Sequence, residues 1–328
     1  MTWLRALGRL FDRKIGLHKL GVLVSIAIVT IAAVVLYRKL HNINVGKVLT
    51  AMATVEYRDV LAAALFVAGA YFTLTFYDLF ALRTIGRKDV PYRVAALAGF
   101  TSYAVGHNVG ASVFTGGAVR YRIYSAWGLD AIEVAKLCFI AGLTFWLGNI
   151  TVLGFGFAYH PQAAAHIDQL PLWLNRVAGI AALTALLGYI AWVWRTPRVI
   201  GRQNWQVQLP RGPLTLLQIV IGIVDLTCCA LAMYVLVPNE PHMEFIDVAV
   251  IFITATMLGF ASHSPGGLGV FDAAMLIALW EYDAEELLAG LLIFRLLYYI
   301  VPFTLALVVL GVREFKLHFA GRRRAGGG

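Results

Sequence analysis

Ser262-His263-Ser264-Pro265-Gly266-Gly267-Leu268-Gly269-Val270-Phe271-Asp272 interrupts an apolar run, Asp247–Trp280, that is too long for one membrane crossing. Proline ends an incoming helix because it lacks an N–H and its ring clashes with the preceding turn. The glycines permit a tight reversal and leave backbone N–H groups uncovered. The stretch therefore reads as two half-helices joined by a turn. The second begins near Gly269, with its positive end pointing into the membrane; such an end attracts anions, and a phosphate is the natural guest. The competing reading is a helix break that serves packing alone. A second run, Val94–Phe114, carries Ser102, Gly106, His107, Asn108, Gly110 and Ser112, with its break at His107–Gly110. Irregular backbone at membrane depth persists only when it is buried in protein or lines a wet cavity.

The surrounding composition sets the solvent. Of 328 residues, 60% are hydrophobic and 14% are charged, and the mean hydropathy is +0.76. A soluble domain carries about 25% charged residues, so a soluble globular chain and a disordered one are both excluded. Further apolar runs at Leu20–Tyr37, Val60–Leu82, Val134–Tyr159, Pro171–Trp194, Leu214–Val237 and Leu287–Gly311 are each long enough to span a bilayer. They leave no room for a large soluble catalytic domain. The first 19 residues hold five Lys/Arg and precede what reads as an uncleaved first span. The net charge of +9 marks cytoplasmic flanks facing anionic lipid rather than a nucleic-acid surface. Cys138, Cys228 and Cys229 lie in apolar runs without metal-ligand spacing and read as small core residues.

Loop charges decide what the two interrupted runs do. If both are re-entrant hairpins and the N-terminus is inside, the inner loops hold ten Lys/Arg and the outer ones four, all within Arg38–Arg58. If all eight runs cross, the inner connecting loops hold four and the outer ones ten. The positive-inside bias favours re-entry. The expected fold is an all-α integral membrane protein with about six full transmembrane helices and two re-entrant helical hairpins. Residues 1–19 form a basic cytoplasmic segment, 20–311 the membrane domain, and 312–328 a basic cytoplasmic tail. Re-entry also exposes an inverted-topology repeat, about 60–159 and 214–311, an architecture common among transporters. Two sequence echoes accompany it. Gly99-Phe100-Thr101-Ser102 with Gly106 parallels Gly259-Phe260-Ala261-Ser262 with Gly266, and Asp130-Ala131-Ile132-Glu133 parallels Asp283-Ala284-Glu285-Glu286.

The candidate lipid-headgroup residues are Gly116, Gly117, Arg120, Ser262, His263, Ser264, Gly266, Gly267, Gly269 and Arg295, supported by Asn108, Tyr124, Asp225 and Asp272. On a helix Arg120 and Tyr124 share a face and Arg122 points roughly opposite. Arg120 is placed to hold a phosphodiester bidentately, and Arg122 reads as an interfacial anchor; a plain inside charge is the bland reading of Arg120. Arg295 and Asp225 lie deep in their spans at matching depth, where a lone charge is expensive, so they are expected to pair with each other. Asp78, four residues from an inner end, reads as snorkelling. His160, His166 and Asp168 share an outer loop with poor spacing for a metal. The chain carries no P-loop, H-E-x-x-H or G-x-S-x-G motif. Ser262, His263 and Asp272 crowd one turn without triad geometry. No metal, cofactor or catalytic set is expected.

TGGAVRYRIYSAWGL within Ser102–Leu129 and SHSPGGLGVFD at Ser262–Asp272 resemble the lysylphosphatidylglycerol synthase transmembrane-region family, which includes the flippase half of the multiple peptide resistance factor. Asp78 within YDLFALRTIG, and Asp225 with Tyr234 and Pro238, fit the same pattern over about Leu20 to Gly311. The resemblance implies a multi-pass protein of the bacterial inner membrane, with both termini cytoplasmic, that binds and flips a phospholipid or related anionic lipid. The family's second motif commonly ends in Glu where this chain has Asp272, and the soluble aminoacyl-transferase domain of the full-length factor is absent, so lysyl-lipid synthesis is not implied. The alternative is a non-transporting subunit that presents a lipid to a separate lipid-modifying enzyme. Membrane lipids, and no nucleic acid, are the expected partners.

Overall fold

Apolar sequence becomes helix here because a bilayer offers the backbone no partner but itself. The computed structural model describes residues 29–38, 41, 43–110, 112–196, 198–202 and 205–325, with side chains as far as Lys316 apart from residue 112. Two short helices, α1 (Val29–Arg38) and α2 (Val45–Thr54), precede the long α3 (Tyr57–Thr84). A helical hairpin of α4 (Tyr92–Val109) and α5 (Ser112–Tyr124) follows, then α6 (Ala131–Tyr159), the short α7 (Pro161–Asp168) and α8 (Leu172–Val193). An antiparallel pair, β1 (Val199–Arg202) and β2 (Trp205–Gln208), leads to α9 (Gly212–Tyr234). A second hairpin joins α10 (Phe245–Ala261) to α11 (Val270–Ala278). The last helix runs through α12 (Ala284–Arg295), a π-helical stretch (Leu296–Ile300) and α13 (Val301–Ala325).

Among the described residues, α3, α6, α8, α9 and Ala284–Lys316 are long and apolar enough to cross a membrane. α8 turns Val177, Ile180, Leu187 and Trp192 outward, a surface only lipid or another apolar partner would cover. The chain is an all-α integral membrane protein. The expected first span lies outside the described residues except from Val29 onward, and the 1–19 segment lies wholly outside them.

Both interrupted runs return to the end they entered from. At the first hairpin, Arg87 in the loop before α4 donates to the Trp127 carbonyl just after α5. It also pairs with Glu133 in the first turn of α6 at 3.2 Å. At the second, His160 between α6 and α7 meets Asp247 in the first turn of α10 at 3.2 Å, and His166 donates from Nδ1 to the Ala278 carbonyl at the end of α11 at 3.0 Å. One mouth thus lies at the start of α6 and the other at its end, about 43 Å apart by helix rise. The Asp-Ala-x-Glu echoes are helix caps. The Asp130 carboxylate accepts from Glu133 N in a capping box on α6, and that of Asp283 accepts from Glu285 N and Glu286 N on α12.

The two long helices that frame the hairpins cross through glycine. A Cβ on Gly222 of α9 would lie 2.8 Å from Gly148 Cα on α6, and one on Gly148 would lie 2.7 Å from Gly222 Cα. Helices in a membrane gain most of their association from such close backbone contact. Gly222→Val is therefore expected to force α6 and α9 apart and cost about 1–3 kcal/mol. A lowered thermal midpoint of the detergent-solubilised variant checks it.

Three parts of the chain differ from the sequence reading. The Arg38–Arg58 connection contains α2, whose N-cap Asn44 accepts from Gly46 N and Lys47 N. Arg195–Arg211 holds the β-pair, with Val207 buried. Leu287–Gly311 is not a plain span, because the π-stretch interrupts it.

Candidate functional site between the hairpin tips

The reversal at Ser262–Gly269 works as its composition dictates. Gly266 (φ 60°), Gly267 (φ 62°) and Gly269 (φ 80°) occupy backbone regions that side chains rarely tolerate, and His263 joins them at φ 55°. Gly110 (φ 80°) turns the first hairpin. The two turns touch inside the bundle. A Cβ on Gly110 would meet Pro265 Cα at 3.3 Å, and one on Gly266 would meet the His107 carbonyl at 3.5 Å. His107 packs edge-on to Phe260 of α10 at 6.1 Å between ring centroids and stacks on Tyr298 of the π-stretch at 5.8 Å.

The π-stretch supplies the floor of this contact. A π-turn frees carbonyls from the helical ladder and is common at functional sites. Here Tyr71 Oη donates to the Tyr298 carbonyl at 3.0 Å, and Asn108 Nδ2 donates to both Ala104 O at 2.8 Å and Tyr299 O at 3.0 Å. Asn108 therefore ties the tip of the first hairpin to the last helix.

Each hairpin also carries a buried ion pair. Arg120 of α5 grips Asp78 of α3 through Nε at 3.0 Å and Nη2 at 2.7 Å, and Tyr124 Oη donates to the same carboxylate at 2.9 Å. Asp78 is completely buried and Arg120 nearly so. Arg295 of α12 grips Asp272 of α11 through Nε at 2.9 Å and Nη2 at 2.7 Å and donates from Nη1 to the Gly266 carbonyl at 3.2 Å. Aromatic faces cover both guanidiniums: Tyr103 lies 4.7 Å from Arg120, and Phe271 and Tyr299 lie 5.7 and 5.6 Å from Arg295.

These contacts correct three expectations. Arg295 does not pair with Asp225; it reaches Asp272, and Asp225 instead accepts from Tyr77 Oη at 3.0 Å. Asp78 does not snorkel, since it is buried against Arg120. The N-terminal end of α11 is not left open for an anion, because Asp272 accepts from Gly269 N at 3.0 Å. Arg120 and Tyr124 do share a face, and Arg122 points away to Glu314 at 2.6 Å.

The other candidates sit as follows. Gly116 lets α5 lie against the Ser102 carbonyl, and Gly117 faces Cys138. Ser262 Oγ donates to Gly259 O at 2.6 Å and lies 2.7 Å from Ser264 Oγ. Gly267 packs against Gly259, and the exposed His263 bonds back to Ala261 O. Asn108, Arg120, Arg295, Asp272 and Gly266 thus belong to the tip region or its ion pairs. The His263 side chain, though in the turn, and Gly117 take no part in the contact between the tips or in the ion pairs. His160, His166 and Asp168 do not converge: Asp168 accepts from Leu170 N and Asn175. His160 instead lies with Glu244 and Asp247, their donor atoms within 4.8 Å of one another, and its Nδ1 already faces Asp247.

Sequence reasoning missed the hydroxyl-rich aromatic set between the ion pairs: Tyr71, Tyr77, Tyr103, Tyr298 and Tyr299. Its signal was the unusual run of tyrosines inside apolar helices, each of which needs a partner for its hydroxyl. It also missed two buried polar atoms with no hydrogen-bonding partner, Ser102 Oγ and His107 Nδ1, both on α4.

Comparison with known proteins agrees with this architecture. A family described as the lysylphosphatidylglycerol synthase TM region matches residues 22–306. The uncharacterised protein slr0712 of Synechocystis is 31% identical over 258 residues, covering 78% of this chain and 80% of its own length. The inner membrane protein YbhN of Escherichia coli is 29% identical over 255 residues, covering 76% and 78%. The phosphatidylglycerol lysyltransferase of Staphylococcus haemolyticus is 26% identical over 287 residues, which is 86% of this chain but 33% of that enzyme. On the strength of the family match across most of its length, the chain belongs to the lysylphosphatidylglycerol synthase TM region family.

Proposed function

We propose that this protein binds a phospholipid or related anionic lipid between its two hairpins and passes it from one leaflet of the bacterial inner membrane to the other. The observation that carries the reading is the meeting of two hairpin tips that enter from opposite ends of α6, with the buried, unpartnered His107 Nδ1 beside the contact. A polar site reachable from either face by moving one hairpin at a time is what alternating access requires. The buried guanidiniums give it chemistry. Arg120 and Arg295 each present two N–H groups to a carboxylate, and a phosphate offers the same two-oxygen geometry. A headgroup entering along a hairpin would exchange for Asp78 or Asp272 while its acyl chains stay in lipid. Both termini lie on the cytoplasmic side in this reading, and the first hairpin opens there. The lysyltransferase relatives, whose name specifies phosphatidylglycerol, support an anionic phospholipid as cargo.

The test is reconstitution. Fluorescent phosphatidylglycerol in proteoliposomes is expected to become accessible to an impermeant quencher in both leaflets much faster than in protein-free vesicles. No acceleration for any of several headgroups overturns the reading. A second reading has one observation in its favour: the matched region is a third of the lysyltransferases' length, so in them it is joined to a further part. As a lipid-presenting subunit for a separate lipid-modifying enzyme, the protein would retain lipid on purification, bring that enzyme with it, and leave the quenching rate at the empty-vesicle value. No catalytic role is assigned to the chain in either case.

A further inference from the structure

Five charged residues are buried within the membrane bundle among the described residues: Asp78, Arg120, Asp225, Asp272 and Arg295. Three are carboxylates and two are guanidiniums, and the guanidiniums are committed to Asp78 and Asp272. Asp225 is the carboxyl left over. It sits midway along α9, is 4% exposed, and has one hydrogen-bonding partner, the neutral Tyr77 hydroxyl on Oδ2. Its Oδ1 is buried with no partner.

No cation faces it from any helix packed against α9. The titratable groups around it are Tyr71 and Tyr77 of α3, Tyr103 of α4, Tyr298 of the π-stretch, and Cys228 and Cys229 of its own helix. Gly148 meets Gly222, so the part of α6 level with Asp225 carries Thr151 and Val152. Lys136 lies about 20 Å back along that helix. On α10 the only titratable residue is Asp247, at its start, and on α12 Arg295 is held by Asp272. On α8, Arg176 stands near the outer end, more than two turns from the level of Asp225. An isolated carboxylate at this depth is expensive, and intramembrane acids without a cationic partner mark proton pathways.

The geometry also links Asp225 to the first hairpin. Tyr77, which donates to Asp225, packs edge-on against Tyr103 at 5.9 Å. Tyr103 belongs to the hairpin and underlies the Arg120 guanidinium. Tyr77 also precedes Asp78, the partner of Arg120, in the chain. A change in the charge on Asp225 therefore reaches the Arg120–Asp78 pair through two side chains.

We propose that Asp225 is a proton-binding site and that one proton travels with each anionic headgroup, in the same direction. The inference rests on lipid translocation as the function of the hairpins. Its logic is charge balance. With a proton on Asp225 the five buried groups sum to zero, and a phosphate drawn to Arg120 adds one negative charge. Without the proton the same phosphate would meet a bundle already carrying an excess negative charge. Binding of proton and anion is thus mutually favourable, and the coupling is reciprocal.

Two measurements test it. In proteoliposomes with the potential clamped by potassium and valinomycin, a gradient of one pH unit is expected to drive fluorescent phosphatidylglycerol into the leaflet facing the alkaline side, to about a tenfold excess for one proton per lipid. Asp225→Asn, which keeps an acceptor for Tyr77, is expected to equilibrate the lipid equally whatever the gradient. Wild-type redistribution that ignores the gradient, follows sodium instead, or favours the acid side overturns the proposal. The second measurement does not depend on transport. Infrared spectra of the reconstituted protein across a pH titration are expected to show a protonated-carboxyl band that Asp225→Asn removes; its absence from the wild type overturns the site. A wild type that shows the band yet moves no lipid counts against translocation and leaves the proton site standing.

Discussion

Replacing Arg120 with leucine is expected to destabilise the protein by about 3–5 kcal/mol, because it leaves a fully buried carboxylate without its counter-charge. Asp78 would keep only the Tyr124 hydroxyl. Asp78→Leu should cost a similar amount by stranding the guanidinium beneath Tyr103. The informative variant is the double substitution. Neither side chain then carries charge, and most of the lost stability is expected to return, since an apolar pair of similar volume can replace a buried ion pair at little cost. Thermal midpoints in detergent should therefore rank wild type and the double variant together, above both single variants. Lipid movement should part company with stability: the refolded double variant has no guanidinium in its first hairpin for a phosphate, so passage from that side is interrupted and it is expected to translocate no faster than empty vesicles. Recovery of both stability and transport would make the pair a structural fastener. Arg295→Leu is expected to be milder, because Asp272 retains Gly269 N as a donor and is less deeply buried than Asp78.

Much of this arrangement is legible in the sequence because it follows from local rules. Pro265 and the glycines around it dictate a reversal wherever they fall in an apolar run, and the structure reverses there. Arg120 and Tyr124 are four residues apart, so helix geometry alone puts them on one face, and both reach Asp78. Asp130 and Asp283 precede apolar runs with an acid three residues on, which is a cap signature, and both cap. Loop charge predicts which runs turn back, and the clasp of Arg87 on Trp127 and Glu133 is what re-entry looks like in detail.

The failures have a common cause. Counting residues gives the depth of a side chain but not its direction around the helix. By residue count Asp225 and Arg295 fall at matching depths, yet α9 turns Asp225 toward Tyr77 on α3, and Arg295 turns toward α11. The π-stretch at Leu296–Ile300 has no signature of its own, because what holds its carbonyls are Tyr71 and Asn108, each about two hundred residues away in the chain. The β-pair at Val199–Gln208 did carry a signal, with β-branched and aromatic residues bounded by Pro197 and Pro210. The four arginines of the Arg195–Arg211 connection invited a reading by charge instead. The lone carboxyl at Asp225 became visible only once the other two had claimed the arginines.

Joining the hairpin tips covalently is expected to stop lipid movement outright and reversibly. A Cβ at Gly110 would stand 3.3 Å from Pro265 Cα, close enough for the two Cβ atoms of a cysteine pair to reach the separation of about 3.5–4.5 Å that a disulfide needs. Gly110→Cys with Pro265→Cys, in a background where Cys138, Cys228 and Cys229 are replaced by serine or alanine, should therefore cross-link under mild oxidant. Gly110 (φ 80°, ψ 177°) occupies backbone space held almost only by glycine, where a side chain costs about 1–3 kcal/mol, so the reduced protein should be less stable but folded. If each hairpin must leave the other to admit a headgroup, the oxidised double variant should show the empty-vesicle rate and a reductant should restore transport. Each single-cysteine variant should be indifferent to oxidant. Mass spectrometry of the peptides confirms the bond before rates are compared. A cross-linked protein that still moves lipid at the reduced rate would put the path elsewhere, along the outside of the bundle. The tip contact would then be a fastener, and the two arginines would have no phosphate to exchange for their carboxylates.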